Sequence, residues 1–459
     1  MSEDNVIRDK AERIRDVIRY IKRFKNAIVI IYIDDQIIDS PLFLSHIKDI
    51  CLIHEAGLKV IMVPGSSRRI DQILTASGIT WTTHNNYRIT QDEAMPLIKM
   101  AAFDVSNQIM TAFAGEKITA VIGNWVRARG KGVIDGFDYG TIGQIDKLEV
   151  ESIKTILDNG FIPIFPCIGW SVAGKPYNIS SIQLAQQIAI GLQADKLFYL
   201  VPDASISKKN FSIPTSIGLS PEGTVPAMNL EELDLFIKSN NHSVNSPNSN
   251  EHLVVSENVS REKIFSLLKL SKEACSSGVS RAHILNGSQE GCVPCEIFSD
   301  LGSGTMIYSN NYGKIREMKR NDIAAVLSVM KPFVDSGILL PRTKQMLQEQ
   351  FPFYIVYELD GAIRACASLI PYRDGQMEIA GVAVDKTCSH IGIGPKMIEF
   401  LVKRAQQMHA KSVFLLTTQT ADWFEHLGFV QADIESLPQK RKESWNPKRG
   451  SKVLRLNTI

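Results

Sequence analysis

A chain of 459 residues, 44% apolar and 22% charged, is too long for one comfortable core and has the make-up of a soluble globular protein of two or three domains. Its formal net charge of +2 provides no bulk attraction to nucleic acid or membrane, and apolar runs such as Ala27–Ile33 are strand-sized, far short of a bilayer span. Seven cysteines without regular spacing fit a reducing cytoplasm, and nine histidines show no metal-ligand spacing, so no metal is expected.

Ile7, Ala11, Ile14, Val17, Ile18 and Ile21 recur at helical spacing, and Asp9, Glu12 and Asp16 among them argue against a transit peptide. Residues 1–25 therefore read as an amphipathic arm that covers its own domain or a neighbouring subunit. From residue 27 to about 310, strand-like runs alternate with helix-periodic segments. The runs are Ala27–Ile33, Lys59–Val63, Thr119–Ile122, Phe161–Phe165, Lys196–Val201 and Ala282–Leu285. Ser181–Leu192 shows the helical pattern through Ile182, Leu184, Ala185, Ile188, Ala189 and Leu192. Such alternation predicts an α/β domain with a mainly parallel sheet. The polar stretch Ser239–Asn250 reads as a mobile inserted loop, because Thr305–Ile307 still looks like a strand of that sheet. Cys292 and Cys295 form a lone C-x-x-C whose apolar setting reads as a buried strand, with no second pair to complete a zinc site. The boundary falls near 310–313, giving domains 26–311 and 312–459.

After Lys314 the pattern changes. A helix over Ile323–Val334 precedes a hairpin, Phe353–Leu359 and Ala362–Leu369, closed by Asp360-Gly361. A strand, Met377–Val384, then runs through a turn ending in Gly392-Ile393-Gly394 into a helix with Met397, Ile398, Leu401, Val402, Ala405 and Met408 on its apolar face. Gly-x-Gly at a helix N-terminus presents unpaired backbone N–H groups to an anion, although a plain tight turn carries the same pattern. Pro395 suits the first turn, where its missing N–H costs nothing. A further strand is expected at Ser412–Leu416.

This C-terminal order resembles the GCN5-related N-acetyltransferases, whose turn before the long helix binds the pyrophosphate of acetyl-CoA. Ser389, His390, Ile391, Gly392, Ile393 and Gly394 occupy that place, with Ser389–Ile391 departing from the family's usual Arg or Gln and glycine. Downstream, Leu415-Leu416-Thr417-Thr418-Gln419-Thr420-Ala421-Asp422-Trp423-Phe424, Leu427-Gly428-Phe429 and Trp445–Lys452 resemble the closing region of the bacterial N-acetylglutamate synthase family. Gly337–Thr343 matches the entry to its acetyltransferase domain. The N-terminal part is similar to the amino-acid kinase fold through Tyr87–Thr90, Arg127–Arg129, Gly132–Gly136, Ala194–Leu197, Arg281–His283, Glu296–Phe298 and Gly302–Met306. The resemblance implies an amino-acid kinase-like parallel-sheet sandwich followed by an α+β acetyltransferase domain.

Kinase chemistry is not supported by the residues. Tyr32, Asp34 and Asp35 stand where a kinase of this fold needs a lysine and paired glycines, and Ile182 replaces its aspartate. Acetyl transfer fares better. The resemblance makes Glu378 the base, the Val384 N–H or that of Ala383 the donor to the thioester oxygen, and Thr417 the proton source for the thiolate. Val382, Ala383 and Val384 would line the cofactor. Arg342, Arg441 and Arg449, with Ser451, match positions that hold the acceptor's carboxylates, and guanidinium groups suit that task. A surface-facing strand Glu, a mid-strand Thr and a solvated basic tail are the plain alternatives. His283, Glu296 and Gly302 match an L-arginine effector site. The expectation is an acetyl-CoA:L-glutamate N-acetyltransferase, cytoplasmic and homo-oligomeric, a hexamer among the candidates. The rivals are acetyl transfer to another amino acid, an acetylglutamate kinase, and a non-catalytic arginine sensor.

Overall fold

The computed structural model describes residues 14–15, 17–18, 21–22, 24–84, 87–220, 222–241, 254–298, 302–309, 313–359, 361–385, 388 and 392–457. The chain divides into two units, residues 1–309 and 310–459. The first carries an eight-stranded sheet: β1 (Ile28–Ile33), β2 (Lys59–Pro64), β3 (Ala120–Ile122), β4 (Ile162–Ile164), β5 (Lys196–Val201), β6 (Ala227–Asn229), β7 (Arg281–Asn286) and β8 (Thr305–Tyr308). The spatial order is β6-β8-β7-β5-β1-β2-β4-β3, parallel except between β7 and β8.

Helices cover both faces, so the central strands have no polar side. In β1, Val29, Ile31 and Ile33 pack into one core with Phe43, Ile47 and Phe113, while Ile30 and Tyr32 enter the other with Leu184, Ile188 and Leu267. Ser180 caps the helix Ser181–Leu192 by accepting from the Gln183 N–H. A second sheet of four strands, Val126–Gly130, Gly143–Leu148, Ile168–Trp170 and Pro176–Asn178, has no signature in the alternation of the sequence. Its strands are short and carry exposed charges such as Arg129 and Lys147.

The second unit holds seven strands: β9 (Gly313–Glu317), β10 (Tyr354–Leu359), β11 (Ala362–Pro371), β12 (Gln376–Val384), β13 (Ser412–Thr417), β14 (Val430–Ala432) and β15 (Lys452–Asn457), in the order β9-β10-β11-β12-β13-β15-β14. Neighbours are antiparallel except β12 and β13, which are joined by the crossover helix Ile393–Gln407. That helix lays Ile393, Met397, Ile398 and Leu401 on Met377, Ile379, Val413 and Leu415. The helix Ile323–Asp335 packs Ile323, Val326 and Met330 against Tyr354, Val356, Cys366 and Ala383.

Several expectations change. Cys292–Phe298 is a helix, not a strand, with Cys292 buried and Cys295 exposed; seven residues of mixed apolar character do not distinguish the two by periodicity. Ser239–Asn241 ends the helix Leu230–Asn241 rather than opening a loop; residues 242–250 lie outside the described residues. Phe353 belongs to a short 3-10 turn, and β9 was not anticipated. Most of the N-terminal arm, residues 310–312 and Asp360 also lie outside the described residues. No helix among the described residues is long and apolar enough to cross a membrane.

Candidate active site

The parallel pair β12–β13 is the structural origin of the site. Its register runs from Gln376↔Ser412 to Ile379↔Leu415 and then stops, although both strands continue. On its other edge β12 remains paired with β11 as far as Val384↔Ala365, through a register shift around Gly381, whose φ is 62°. The Asp385 N–H donates to the Arg364 carbonyl at 2.7 Å, so Val384 and Ala365 form a non-hydrogen-bonded pair. The Val384 N–H therefore points away from β11, into the fork, and the Ala383 N–H points toward β11. By the same alternation Val382 faces the fork.

The N-terminus of the helix Ile393–Gln407 stands beside this open edge. Gly392 is its N-cap, in the left-handed region at φ 70°, with no side-chain cap. A Cβ on Gly394 would lie 3.1 Å from the Trp423 ring and 3.8 Å from Val384 Cγ2, so glycine lets the helix begin close against β12. Ser389, His390 and Ile391 lie outside the described residues.

Glu378 sits just inside the fork, 5% exposed, on the opposite face of the sheet from Met377 and Ile379. Its register neighbours are Ile370 and Phe414. Arg441 Nε donates to its Oε1 at 3.0 Å, and the Tyr372 hydroxyl donates to its Oε2 at 2.7 Å. Burial, together with the Glu378 carboxylate, pushes the Tyr372 phenol above its ordinary range. Arg441, expected on the acceptor, is thus paired with the expected base, and its Nη1 donates to Ser444 Oγ at 2.9 Å. Tyr372 escaped the sequence reading. The signal was Asp374-Gly375, a turn dipeptide that folds Tyr372 back toward Gln376, whose carbonyl accepts from the Tyr372 N–H.

Arg449 Nη2 donates to the Ile338 carbonyl at 2.8 Å, tying the C-terminal segment to the loop that carries Arg342. The Arg342 Nε is buried and has no hydrogen-bond partner. Ser451 is half-buried at the start of β15. Thr417, half-buried at the end of β13, alternates with Val413 and Leu415 and so belongs to the helix face rather than the Glu378 face. Its Oγ1 accepts from the Thr420 N–H at 3.1 Å and lies 2.9 Å from Thr420 Oγ1.

In the first unit His283 and Glu296 are both buried, with Nδ1 2.5 Å from Oε1. Glu296 Oε2 accepts from the N–H groups of Ser303 and Gly304, at 2.6 and 2.9 Å. A Cβ on Gly302 would lie 2.6 Å from that oxygen. Burial raises the Glu296 carboxyl, but the donors from His283, Ser303 and Gly304 outweigh it and bring the pKa down to about 2. Burial lowers His283 to about 4, leaving it neutral near pH 7. Register pairs Lys196 with Arg281 and Phe198 with His283, and both basic groups bear on His283. Lys196 and Arg281 also approach the Phe24 ring, at 4.7 and 5.4 Å. Lys196 and Arg281 entered the sequence reading only as parts of matched runs, because a charge at the edge of an apolar strand reads as its solvent end.

A cleft of about 510 Å³ in the same unit is lined by Tyr32, Ser66, Arg88, Asn178 and Ile182, among others. Beside it Asp34 is buried, accepts from the Tyr32 hydroxyl at 3.1 Å and pairs with the Lys263 ammonium. Asp35 Oδ2 accepts from the Arg68 N–H at 2.8 Å, and burial raises its pKa. A positive charge is therefore present where phosphoryl transfer would need one, but the Asp34 carboxylate neutralises it. Among the described residues no group of three or more His, Cys, Asp or Glu could hold a metal ion.

Residues 27–210 match the amino acid kinase family and residues 322–429 the acetyltransferase (GNAT) family. The chain is 30% identical over 442 residues to an amino-acid acetyltransferase of Mannheimia succiniciproducens, covering 95% of each chain. It is also 30% identical over 441 residues to one of Pasteurella multocida, covering 95% of this chain and 94% of that protein. The crystal structure of N-acetylglutamate synthase from Neisseria gonorrhoeae complexed with coenzyme A and L-arginine is similar at a TM-score of 0.75 and 25% identity, over 97% of this chain and 99% of that one. The same enzyme complexed with coenzyme A and N-acetyl-glutamate is similar at 0.57 and 26%, over 98% and 99%. With a kinase-like sheet followed by a forked acetyltransferase sheet, the chain belongs to the amino-acid acetyltransferase family.

Proposed function

We propose that this amino-acid acetyltransferase transfers the acetyl group of acetyl-CoA to the α-amine of L-glutamate, the opening step of arginine biosynthesis. The observation that carries the reading is the fork between β12 and β13, with the Val384 N–H directed into it and Glu378 at its inner end. The uncapped N-terminus at Gly392 suits the pyrophosphate of the cofactor, since backbone N–H groups and the helix dipole both favour an anion there. Strand-edge N–H and C=O groups at Val382 and Val384 suit its amide-bearing arm.

Glu378 accepts the proton from the acceptor ammonium, directly or through water. Val384 N–H donates to the carbonyl oxygen as charge develops there. Thr417 supplies a hydroxyl near the departing sulfur. Arg342, with its unpartnered Nε, and Arg449 suit the acceptor's two carboxylates, with Ser451 as a further donor. The likeness to a synthase crystallised with N-acetyl-glutamate supports glutamate as that acceptor. L-Arginine is the proposed effector, acting at His283, Glu296 and Gly302 of the first unit in a cytoplasmic homo-oligomer. The likeness to an arginine-bound synthase supports this. The test is mass detection of acetylglutamate after incubation with acetyl-CoA and each of glutamate, glutamine and aspartate. Preferential acetylation of an acceptor other than glutamate, or of none, refutes it.

A further inference from the structure

Glu378 has a feature that a general base alone does not need: each of its oxygens already accepts a hydrogen bond from a different element. Arg441, from the short helix Gln439–Glu443, holds Oε1, and Tyr372, from the end of β11, holds Oε2. Their side chains are enclosed, Arg441 being 19% and Glu378 7% exposed, so solvent screens the pair weakly. Across the sheet Ile370 and Phe414 present only apolar surface, and Asp374 is a further charge bearing on Tyr372. Each oxygen so held has one lone-pair site fewer for an incoming proton. An acceptor that brings its own carboxylate competes for that guanidinium.

We infer that the acceptor's carboxylate takes Arg441 from Glu378, and that Tyr372 then holds Glu378 in place as the working base. This rests on the acetyl-transfer reading above and deepens it: the base is released only by an acceptor that carries a carboxylate within reach of Arg441. In the step that follows, Glu378 takes a proton from the ammonium, and the nitrogen lone pair forms the C–N bond to the acetyl carbon. The C–S bond breaks, the sulfur leaves as thiolate, and the second proton that the nitrogen sheds on becoming an amide passes to that thiolate. Tyr372 touches none of the reacting atoms; it is a positioning residue.

The full-length enzyme provides the test. Tyr372→Phe keeps the ring and removes the donor, so kcat should fall about tenfold while KM for acetyl-CoA stays within about twofold. An unchanged kcat in Tyr372→Phe, or a KM for acetyl-CoA that rises with the loss of kcat, overturns its positioning role.

A second measurement needs no turnover. With coenzyme A present, calorimetry should find glutamate bound about threefold to tenfold more tightly by Glu378→Gln than by wild type, since the competing carboxylate is gone. In an Arg441→Gln background the same change should give no tightening, the signature of a coupled pair. Equal or weaker binding by Glu378→Gln, or equal tightening in both backgrounds, overturns the proposal. If wild type acetylates no amino acid, the functional reading fails while the calorimetric cycle still decides the exchange.

Discussion

Arg342, before the helix Lys344–Gln350, and Arg449, in the C-terminal segment, are placed differently from Arg441. Arg342 keeps a buried Nε without a partner, and Arg449 is anchored to a backbone carbonyl near the same loop. Arg342→Ala and Arg449→Ala should therefore each lower kcat/KM for glutamate about tenfold to a hundredfold, chiefly through KM, as loss of a charge-assisted hydrogen bond of about 1.5–3 kcal/mol implies. Steady-state kinetics with either substrate varied checks this, and a matching loss of coenzyme A affinity would refute the assignment. The buried pair in the first unit makes a prediction about pH. His283 releases its proton near 4 in the folded protein, against about 6.5 when unfolded, and Glu296 near 2, against about 4.5. The unfolded state thus binds more protons from pH 6.5 downward, so stability is fully present above that and falls with acidification. Denaturant titrations at pH 7 and pH 5 should show a lower midpoint at pH 5, and His283→Gln should reduce the difference. Glu378 and the arginines were named from the sequence through the family resemblance, because a lone charge in a strand or tail also reads as solvated surface. Tyr372 was not, because its partner lies across a turn whose register only folding sets.

Gly381 is the element on which the fork depends. Its positive φ places the register shift, and an added Cβ would sit 3.2 Å from both Met330 Cε and the Tyr354 hydroxyl. Gly381→Ala should cost about 1–2 kcal/mol for the left-handed conformation alone. It should also raise KM for acetyl-CoA more than KM for glutamate, because the Val384 N–H is aimed by that shift; an unchanged ratio of the two would count against the fork as cofactor site. At the entry to the site, Thr343 caps the helix Lys344–Gln350 by accepting from the Met346 N–H at 3.1 Å. Thr343→Ala should cost about 1 kcal/mol, read from denaturation midpoints. Strands β1, β2 and β5 were legible as apolar runs because both their faces are covered. The four-stranded sheet was not, because its half-exposed strands carry Arg127, Arg129 and Lys147 and owe their pairing to tertiary partners.

At the scale of the whole chain, one unit keeps the shape of a kinase without its electrostatics. With Lys263 neutralised by Asp34 and Tyr32 filling the strand end, incubation with ATP and acetylglutamate should release no ADP above background, whereas acetyl transfer proceeds. Arginine should bind wild type and be weakened at least tenfold in Glu296→Gln, measured by calorimetry. An effect of arginine on activity would require unequal affinity for two states of the protein. The Glu296 oxygens are held by His283, Ser303 and Gly304, so a guanidinium must displace some of these donors, which gives binding a conformational consequence.

The alternation of apolar strand-sized runs with helix-periodic segments, and its change after Lys314, pointed to two units, because strands buried on both faces leave apolar runs and amphipathic helices leave a helical period. The ordered matches from Tyr87 to Lys452 determined the family. Only the tertiary structure decided which groups face each other: Glu378 with Arg441 and Tyr372, Asp34 with Lys263, His283 with Glu296, and the Val384 N–H with the open side of β12. Charge–charge partners separated by 63 or 229 residues leave no local pattern, because their attraction acts only once the intervening chain has been brought together by burial of apolar surface.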